Sequence, residues 1–238
     1  MAAYYVFIFI LGLVVGSFVN VLIYRVPMHK SIVAPPSSCT SCGERLTVPD
    51  LIPVFSYIFL KGRCRHCGER ISPRYPLVEL LTAAMFVILF TRFGFTVPFI
   101  AYAYLMTILA AVFFIDIDHR IIPNGLVLAA LAGLFPGSGF LLLVAILGSL
   151  IYRTEDAMGM GDVKLMAPVG LFLGWRLCIT ALAVSVLLGG LVSMALILLG
   201  IKKRKDTVAF GPFIVAGTFV TMIWGWELTE WFFNYINA

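Results

Sequence analysis

The stretch that decides the fold class runs from Tyr4 to Tyr24 and reads YYVFIFILGLVVGSFVNVLIY. It carries no charged side chain, and a helix of about this length spans the roughly 30 Å hydrocarbon core of a bilayer. Similar apolar runs recur along the chain, which is 61% hydrophobic and 12% charged, with a mean hydropathy of +1.03. Soluble domains average roughly 45–50% apolar and about 25% charged residues. The sequence therefore predicts an all-α, polytopic membrane helix bundle and excludes a soluble globular domain.

The other apolar segments follow a polar stretch from about Pro27 to Pro76. With Tyr4–Tyr24 they predict about eight crossings: Leu77–Thr91, Val97–Ile115, Asn124–Phe135, Gly139–Tyr152, Val163–Trp175, Leu177–Ile201 and Pro212–Phe232. Because no Lys or Arg precedes the first run, we interpret it as a retained helix with its N-terminus outside. Of the 17 Lys and Arg residues, only Arg92 and Arg176 then fall outside. Asn124–Phe135 and Val163–Trp175 are short for a crossing, and the first is also compatible with a re-entrant hairpin.

Four cysteines lie in the polar stretch as two Cys-x-x-Cys pairs within a short internal repeat. The repeat reads CTSCGERL at 39–46 and CRHCGERI at 64–71. Such spacing points two thiolates at one metal, and the Gly after each pair suits a turn with positive φ. The sequence predicts a structural zinc site with four protein ligands, Cys39, Cys42, Cys64 and Cys67. Two disulfides are the alternative, which a reducing cytoplasm disfavours. We assign His66 to a solvated loop and Cys178 to helix packing.

The predicted organisation has three parts. Residues 1–26 form the first transmembrane helix, residues 27–76 a cytoplasmic zinc-binding module, and residues 77–238 a transmembrane bundle. Carboxylates near a membrane segment are costly and are often functional. Three of them, Asp116, Asp118 and Asp162, fall at the cytoplasmic side of this bundle.

Peptide hydrolysis by two carboxylates requires one as a base for water and the other as an acid for the carbonyl oxygen. Two carboxylates held close share one proton. Asp116 and Asp118 diverge by about 200° if their helix continues through them, so one of them has to pair with Asp162. Asp116 lies deeper in its helix and is the preferred partner, and Asp118 is the alternative. The simpler alternative is that these aspartates cap helices or pair with Arg120 and Lys164.

Several blocks resemble the type IV prepilin peptidases, a branch of the Gly-x-Gly-Asp intramembrane aspartyl proteases. They follow one another along nearly the whole chain: Gly16–Val21, Tyr24–Pro27, the two Cys-x-x-Cys pairs, Arg74–Glu79, Ile115–Asp116, Ile122–Asn124, Gly159–Leu165 and Phe210–Phe213. The catalytic aspartates of that family map onto Asp116 and Asp162, and residues 77–238 then form the protease bundle.

The resemblance implies an aspartic endopeptidase of the bacterial inner membrane that cleaves the basic leader of type IV prepilins or pseudopilins after Gly, at the cytoplasmic face. It also implies N-methylation of the new terminal residue with S-adenosylmethionine. Glu79 is a candidate for that second activity, and a local partner of Arg74 is the alternative. We expect the lipid bilayer and pilins as partners, and no nucleic acid.

Two other classes of function compete with this interpretation. A cation or proton transporter would line a pathway with aspartates spread over the bilayer depth, whereas Asp116, Asp118 and Asp162 cluster at one face. A non-enzymatic scaffold for pilus assembly would explain the cysteine module but not aspartates beside glycines.

Overall fold

The computed structural model describes residues 2–132, 160–203 and 208–236. Within these ranges the chain is helical and contains no strand, only two isolated β-bridges in the cysteine-rich segment. Its elements are α1 (Ala2–Arg25), a 3-10 helix (Val48–Leu51), α2 (Phe55–Phe59), α3 (Arg74–Phe93), α4 (Val97–His119), α5 (Asn124–Ala132), α6 (Met160–Leu198) and α7 (Gly211–Ile236). The predicted all-α class is confirmed.

Four of the described helices are long and apolar enough to cross a membrane, namely α1, α3, α4 and residues Gly161–Leu198 of α6. These four do not establish the predicted number of about eight crossings. The segment predicted at Gly139–Tyr152 lies outside the described residues. The segment predicted at Val163–Trp175 falls within α6, and the one predicted at Leu177–Ile201 begins in α6 and extends past its end at Leu198. The backbone of α6 leaves the helical conformation at Gly174, with φ 80° and ψ 165°.

The chain divides into two compact units, Met1–Ala103 and Tyr104–Ala238. In the N-terminal unit, α1 packs against α3 through two glycines one turn apart. A Cβ on Gly12 would lie 2.5 Å from the Cα of Ala83, and one on Gly16 would lie 2.7 Å from the Cα of Glu79. Small residues at this spacing let the backbones of membrane helices approach closely. The spacing brings Glu79 of α3 next to the face of α1 that also carries Asn20.

The C-terminal unit is built on the packing of α6 against α7, with α5 against α6. Gly217 of α7 lies against Ser185 and the carbonyl oxygen of Ala181, so a larger residue would displace α6. After α4 the chain reverses at Arg120, which has φ 55° and donates its N–H to the carbonyl oxygen of Asp116 over 2.9 Å. This left-handed cap ends the helix one turn after Asp116.

Candidate active site and metal centre

The two cysteine pairs adopt the same local structure. The N–H of Cys39 donates to Glu44 O over 2.9 Å, and that of Cys64 donates to Glu69 O over 2.8 Å. The glycine after each pair, Gly43 and Gly68, has a positive φ of 74° and 71° respectively. Positive φ is the conformation that the repeat predicted for these glycines, since glycine adopts it without steric strain.

All four sulfurs of the repeat come together. The four Sγ atoms lie within 4.8 Å of one another, and those of Cys39 and Cys67 are 3.9 Å apart. Zinc–sulfur bonds of about 2.3 Å in a tetrahedron put sulfurs roughly 3.8 Å apart, so this set fits a four-cysteine zinc site. The five cysteines are all free thiols, which does not match the disulfide alternative. Cys178 is half-buried and lies 3.2 Å from where a Cβ on Gly170 would be, as a packing residue does.

The thiols of this cluster differ in acidity. Backbone N–H groups of Cys42 and Ser41 lower the pKa of the Cys39 thiol to about 6. The N–H of Glu69 lowers the pKa of Cys67, but desolvation and hydrogen bonding among the four thiols outweigh it and raise that pKa to about 12. A second or third negative charge in such a small cluster therefore needs a cation, which a divalent metal supplies.

The predicted carboxylates occupy different environments in the C-terminal unit. Asp116 is buried, with 6% of its surface exposed, whereas Asp118 is exposed. Asp162 lies in the first turn of α6 and is half-buried. The Asp116 charge acts on Asp162, so these two carboxylates, on different helices, lie within electrostatic range of each other.

Glycines allow the backbone to approach the Asp116 carboxylate. The N–H of Gly211 donates a hydrogen bond to it, and a Cβ on Gly211 would lie 2.6 Å from Asp116 Oδ2. A Cβ on Gly161, which precedes Asp162, would lie 3.2 Å from the Cδ1 of Ile122. Ile122 also lies near Gly211, so its side chain packs against the glycine that precedes Asp162 and against the glycine that contacts Asp116.

The charged neighbours of the aspartates have contacts of their own. Lys164 donates from Nζ to the Oδ1 of Asn124 over 3.3 Å. The positive charge of Arg120 acts on Asp116. This agrees with one part of the alternative in which the aspartates pair with Arg120 and Lys164. The contact between Gly211 and Asp116 was not predicted, because the two positions are far apart in sequence.

Glu79 of α3 is buried in the N-terminal unit, with 8% of its surface exposed. Its Oε2 accepts the N–H of Val54 over 2.8 Å, and the hydroxyl of Ser17 also donates to this carboxylate. Val54 has φ 63°, a conformation that β-branched residues rarely adopt. The chain around residue 54 is thus held in a strained turn against Glu79.

Comparison with known proteins follows the same division. Residues 10–93 match the model of the bacterial peptidase A24 N-terminal domain, and residues 103–194 match that of the type IV leader peptidase family. The boundary between the matches falls where the two structural units meet in sequence. No solved structure was found to match the chain.

Relatives named "Prepilin leader peptidase/N-methyltransferase" match over nearly the whole chain. The relative from Bacillus subtilis is 35% identical, over 92% of this chain and 93% of its own length. The relative from Myxococcus xanthus is 39% identical, over 94% of this chain and 72% of its own. The relative from Pseudomonas aeruginosa is 30% identical, over 95% of this chain and 92% of its own length.

The all-α fold, the membrane-spanning helices and the matched models define a membrane peptidase. The chain belongs to the type IV leader peptidase family, so the predicted family is confirmed.

Proposed function

We propose that this chain removes the basic leader of type IV prepilins or pseudopilins by cleaving after Gly, with Asp116 and Asp162 as the catalytic pair. The observation that carries the proposal is the electrostatic proximity of a buried and a half-buried carboxylate on two helices. The names of the relatives supply the substrate class. The proximity of Asp116 and Asp162 also favours a dyad over the transporter hypothesis, which needs acidic groups along a path.

The two carboxylates share one proton, because two negative charges held close together repel each other. The ionised carboxylate takes a proton from water while the water oxygen bonds to the scissile carbonyl carbon. The protonated carboxyl gives its proton to the carbonyl oxygen. The carboxyl that took the proton from water then gives it to the leaving nitrogen as the C–N bond breaks. The other carboxylate takes a proton back from a hydroxyl of the tetrahedral carbon, which restores the starting state of the pair. Gly211 positions Asp116 by its hydrogen bond, and it leaves room for the carboxylate by lacking a side chain.

We further propose that the product is methylated on its new terminal nitrogen, as the relatives' names imply. S-adenosylmethionine supplies the methyl group as a sulfonium. The four-cysteine site has a structural role, since its ligands fill all four positions that zinc uses. On this view residues 1–26, 27–76 and 77–238 are the first helix, the zinc module and the protease bundle.

The protein would lie in the bacterial inner membrane with its N-terminus outside. The zinc module and the aspartates would then face the cytoplasm. The bias of Lys and Arg toward the loops on that side supports this orientation.

Cleavage of a prepilin by purified protein in liposomes tests the assignment. We expect Asp116→Asn and Asp162→Asn each to slow cleavage by a factor on the order of 10²–10⁴, the usual contribution of a general acid or base. Asp118→Asn, two residues away and exposed, is the matched control and should cleave at close to the wild-type rate. If Asp118→Asn lost cleavage activity while Asp116→Asn kept it, Asp118 would be the catalytic partner of Asp162. Normal cleavage by all three would reopen the transporter and scaffold hypotheses.

A further inference from the structure

A cavity of about 1020 Å³ lies within the N-terminal unit. Residues of α1, the cysteine module and the start of α3 line it, including Ser17, Asn20, Tyr24, Ser56, Tyr75 and Glu79. Clefts for small ligands have volumes of roughly 300–1,000 Å³, so this cavity is large enough for a nucleoside-sized ligand and the end of a peptide chain.

The wall of this cavity contains an ordered and buried carboxylate. Glu79 is held by the N–H of Val54 and the hydroxyl of Ser17, and both donors are neutral. Asn20, also buried, is fixed by donating from Nδ2 to the carbonyl oxygen of Tyr75 over 3.0 Å. A buried carboxylate with neutral donors favours a cationic ligand, because an opposite charge lowers the cost of burial.

The rest of the lining suits the other parts of one particular ligand class. Tyr75 offers an aromatic surface for a base, and the Lys30 ammonium is held in the lining by the Tyr24 ring, with Nζ 5.2 Å from its centroid. Lys30 provides a positive charge for a carboxylate, and Arg25, which donates to the carbonyl oxygens of Ser31 and Pro35, adds a second positive charge to the lining. S-adenosylmethionine combines a base, a carboxylate and a cationic sulfur, and its chemistry fits this lining.

We propose that this cavity binds S-adenosylmethionine, with its sulfonium facing Glu79. The inference rests on the proposed methylation and assigns that activity to the N-terminal unit. Glu79 stabilises the positive charge of the sulfonium, and Asn20 and Ser17 keep the surrounding wall polar and fixed.

The methyl transfer that follows is a direct displacement. The terminal amine of the processed pilin first loses a proton to water, since α-amino groups have pKa values of about 7.7–8.0. Its lone pair then forms the N–CH₃ bond while the C–S bond breaks. The electron pair of that bond stays on sulfur, which leaves S-adenosylhomocysteine. Positive charge moves from sulfur to nitrogen in this step, and the negative charge of Glu79 favours both the cationic reactant and the cationic product.

Direct binding tests the site without relying on turnover. The affinities of S-adenosylmethionine and S-adenosylhomocysteine are measured by calorimetry on full-length, zinc-loaded protein in nanodiscs. We expect Glu79→Gln to weaken S-adenosylmethionine by about tenfold or more, the usual effect of removing a charged partner. It should weaken S-adenosylhomocysteine, which lacks the sulfonium charge, by a clearly smaller factor. A purely structural role for Glu79 would weaken both ligands equally and would overturn the assignment.

Two further variants secure the result. Ser56→Trp fills the cavity without removing a charge and should abolish binding of both ligands, with zinc content and elution volume as checks of folding. Glu44→Gln is the matched control, because it makes the same chemical change at an exposed glutamate of the same unit that does not line the cavity. It should bind both ligands as the wild type does.

The outcomes separate this inference from the proposed function. If wild-type protein neither binds S-adenosylmethionine nor methylates a processed pilin, the methylation proposal fails and this site fails with it. If wild type binds and methylates but Glu79→Gln and Ser56→Trp bind normally, methylation stands and this cavity is not its site. Cleavage by the aspartates is independent of both results.

Discussion

The two units of this chain present their functional groups in different ways. In the N-terminal unit, the four sulfurs lie on two short turns that follow one another within the loop between α1 and α3. In the C-terminal unit, the aspartates lie on α4 and α6, and the glycine that contacts Asp116 begins α7. A site built from local turns can be recognised by spacing, whereas a site built from helix ends depends on how the helices pack.

The largest expected effect concerns the metal of the N-terminal unit. Replacing one cysteine of each turn, Cys39→Ser with Cys64→Ser, should abolish zinc binding, because structural zinc contributes on the order of 10 kcal/mol or more to the folding of small modules. We expect proteases to cut within residues 27–76 far faster than in the wild type. Metal analysis and timed proteolysis of the membrane-embedded protein measure both effects.

Cys178→Ser is the control for this change, since Cys178 lies in α6 and not in the cluster. It should retain zinc and the wild-type cleavage pattern. Full zinc content in the double variant would show that the four sulfurs are not the ligands.

A smaller but more local effect is expected at the contact between α7 and Asp116. Gly211→Ala adds a methyl group that would lie 2.6 Å from Asp116 Oδ2, so the carboxylate has to move. A displacement of about 1 Å in a catalytic group reduces rates by roughly 10²-fold, so prepilin cleavage should slow by about that factor.

The matched control is Gly190→Ala in α6, where an added Cβ meets nothing within 4 Å. It should cleave normally, since alanine is the better helix former. Equal rates for wild type and both variants would mean that Gly211 does not position Asp116.

The smallest effect is expected in the packing of α1 on α3. Gly12→Ala inserts a methyl group 2.5 Å from the Cα of Ala83, and such overpacking costs about 1–3 kcal/mol. The midpoint of thermal unfolding in detergent should fall by several degrees. Val14→Ala, at an exposed position of the same helix, should change it less, and the opposite order would contradict the close approach of these helices.

Local features of the molecule were predictable from its sequence. The four-cysteine cluster follows from the doubled Cys-x-x-Cys spacing, and the helical class follows from uncharged runs such as Tyr4–Tyr24. Both are confirmed, because the signal for each lies within a short stretch of sequence: two cysteines at a fixed spacing on each turn, and an uncharged run for each long helix. The catalytic role of Asp116 and Asp162 remains a prediction. The exposure of Asp118 supports the choice of Asp116 as the partner of Asp162.

Long-range features were not predictable. The strained turn at Val54 is stabilised by Glu79, a residue 25 positions away, and no local signal marks it. Gly211 and Asp116 meet only because the helices that carry them pack together. The four-residue spacing of Gly12 and Gly16 is typical of closely packed membrane helices, but it does not indicate which helix is the partner.

The central claim is that Asp116 and Asp162 act as one catalytic unit. Its most direct test is the prepilin cleavage rate of Asp116→Asn, Asp162→Asn and the double variant in liposomes. Residues that work as a unit are strongly non-additive, so removing both should cost little more than removing one. We predict residual rates that agree within about threefold for the three variants. A double variant slowed by the product of the two single effects would show that the aspartates act independently, and would contradict the dyad.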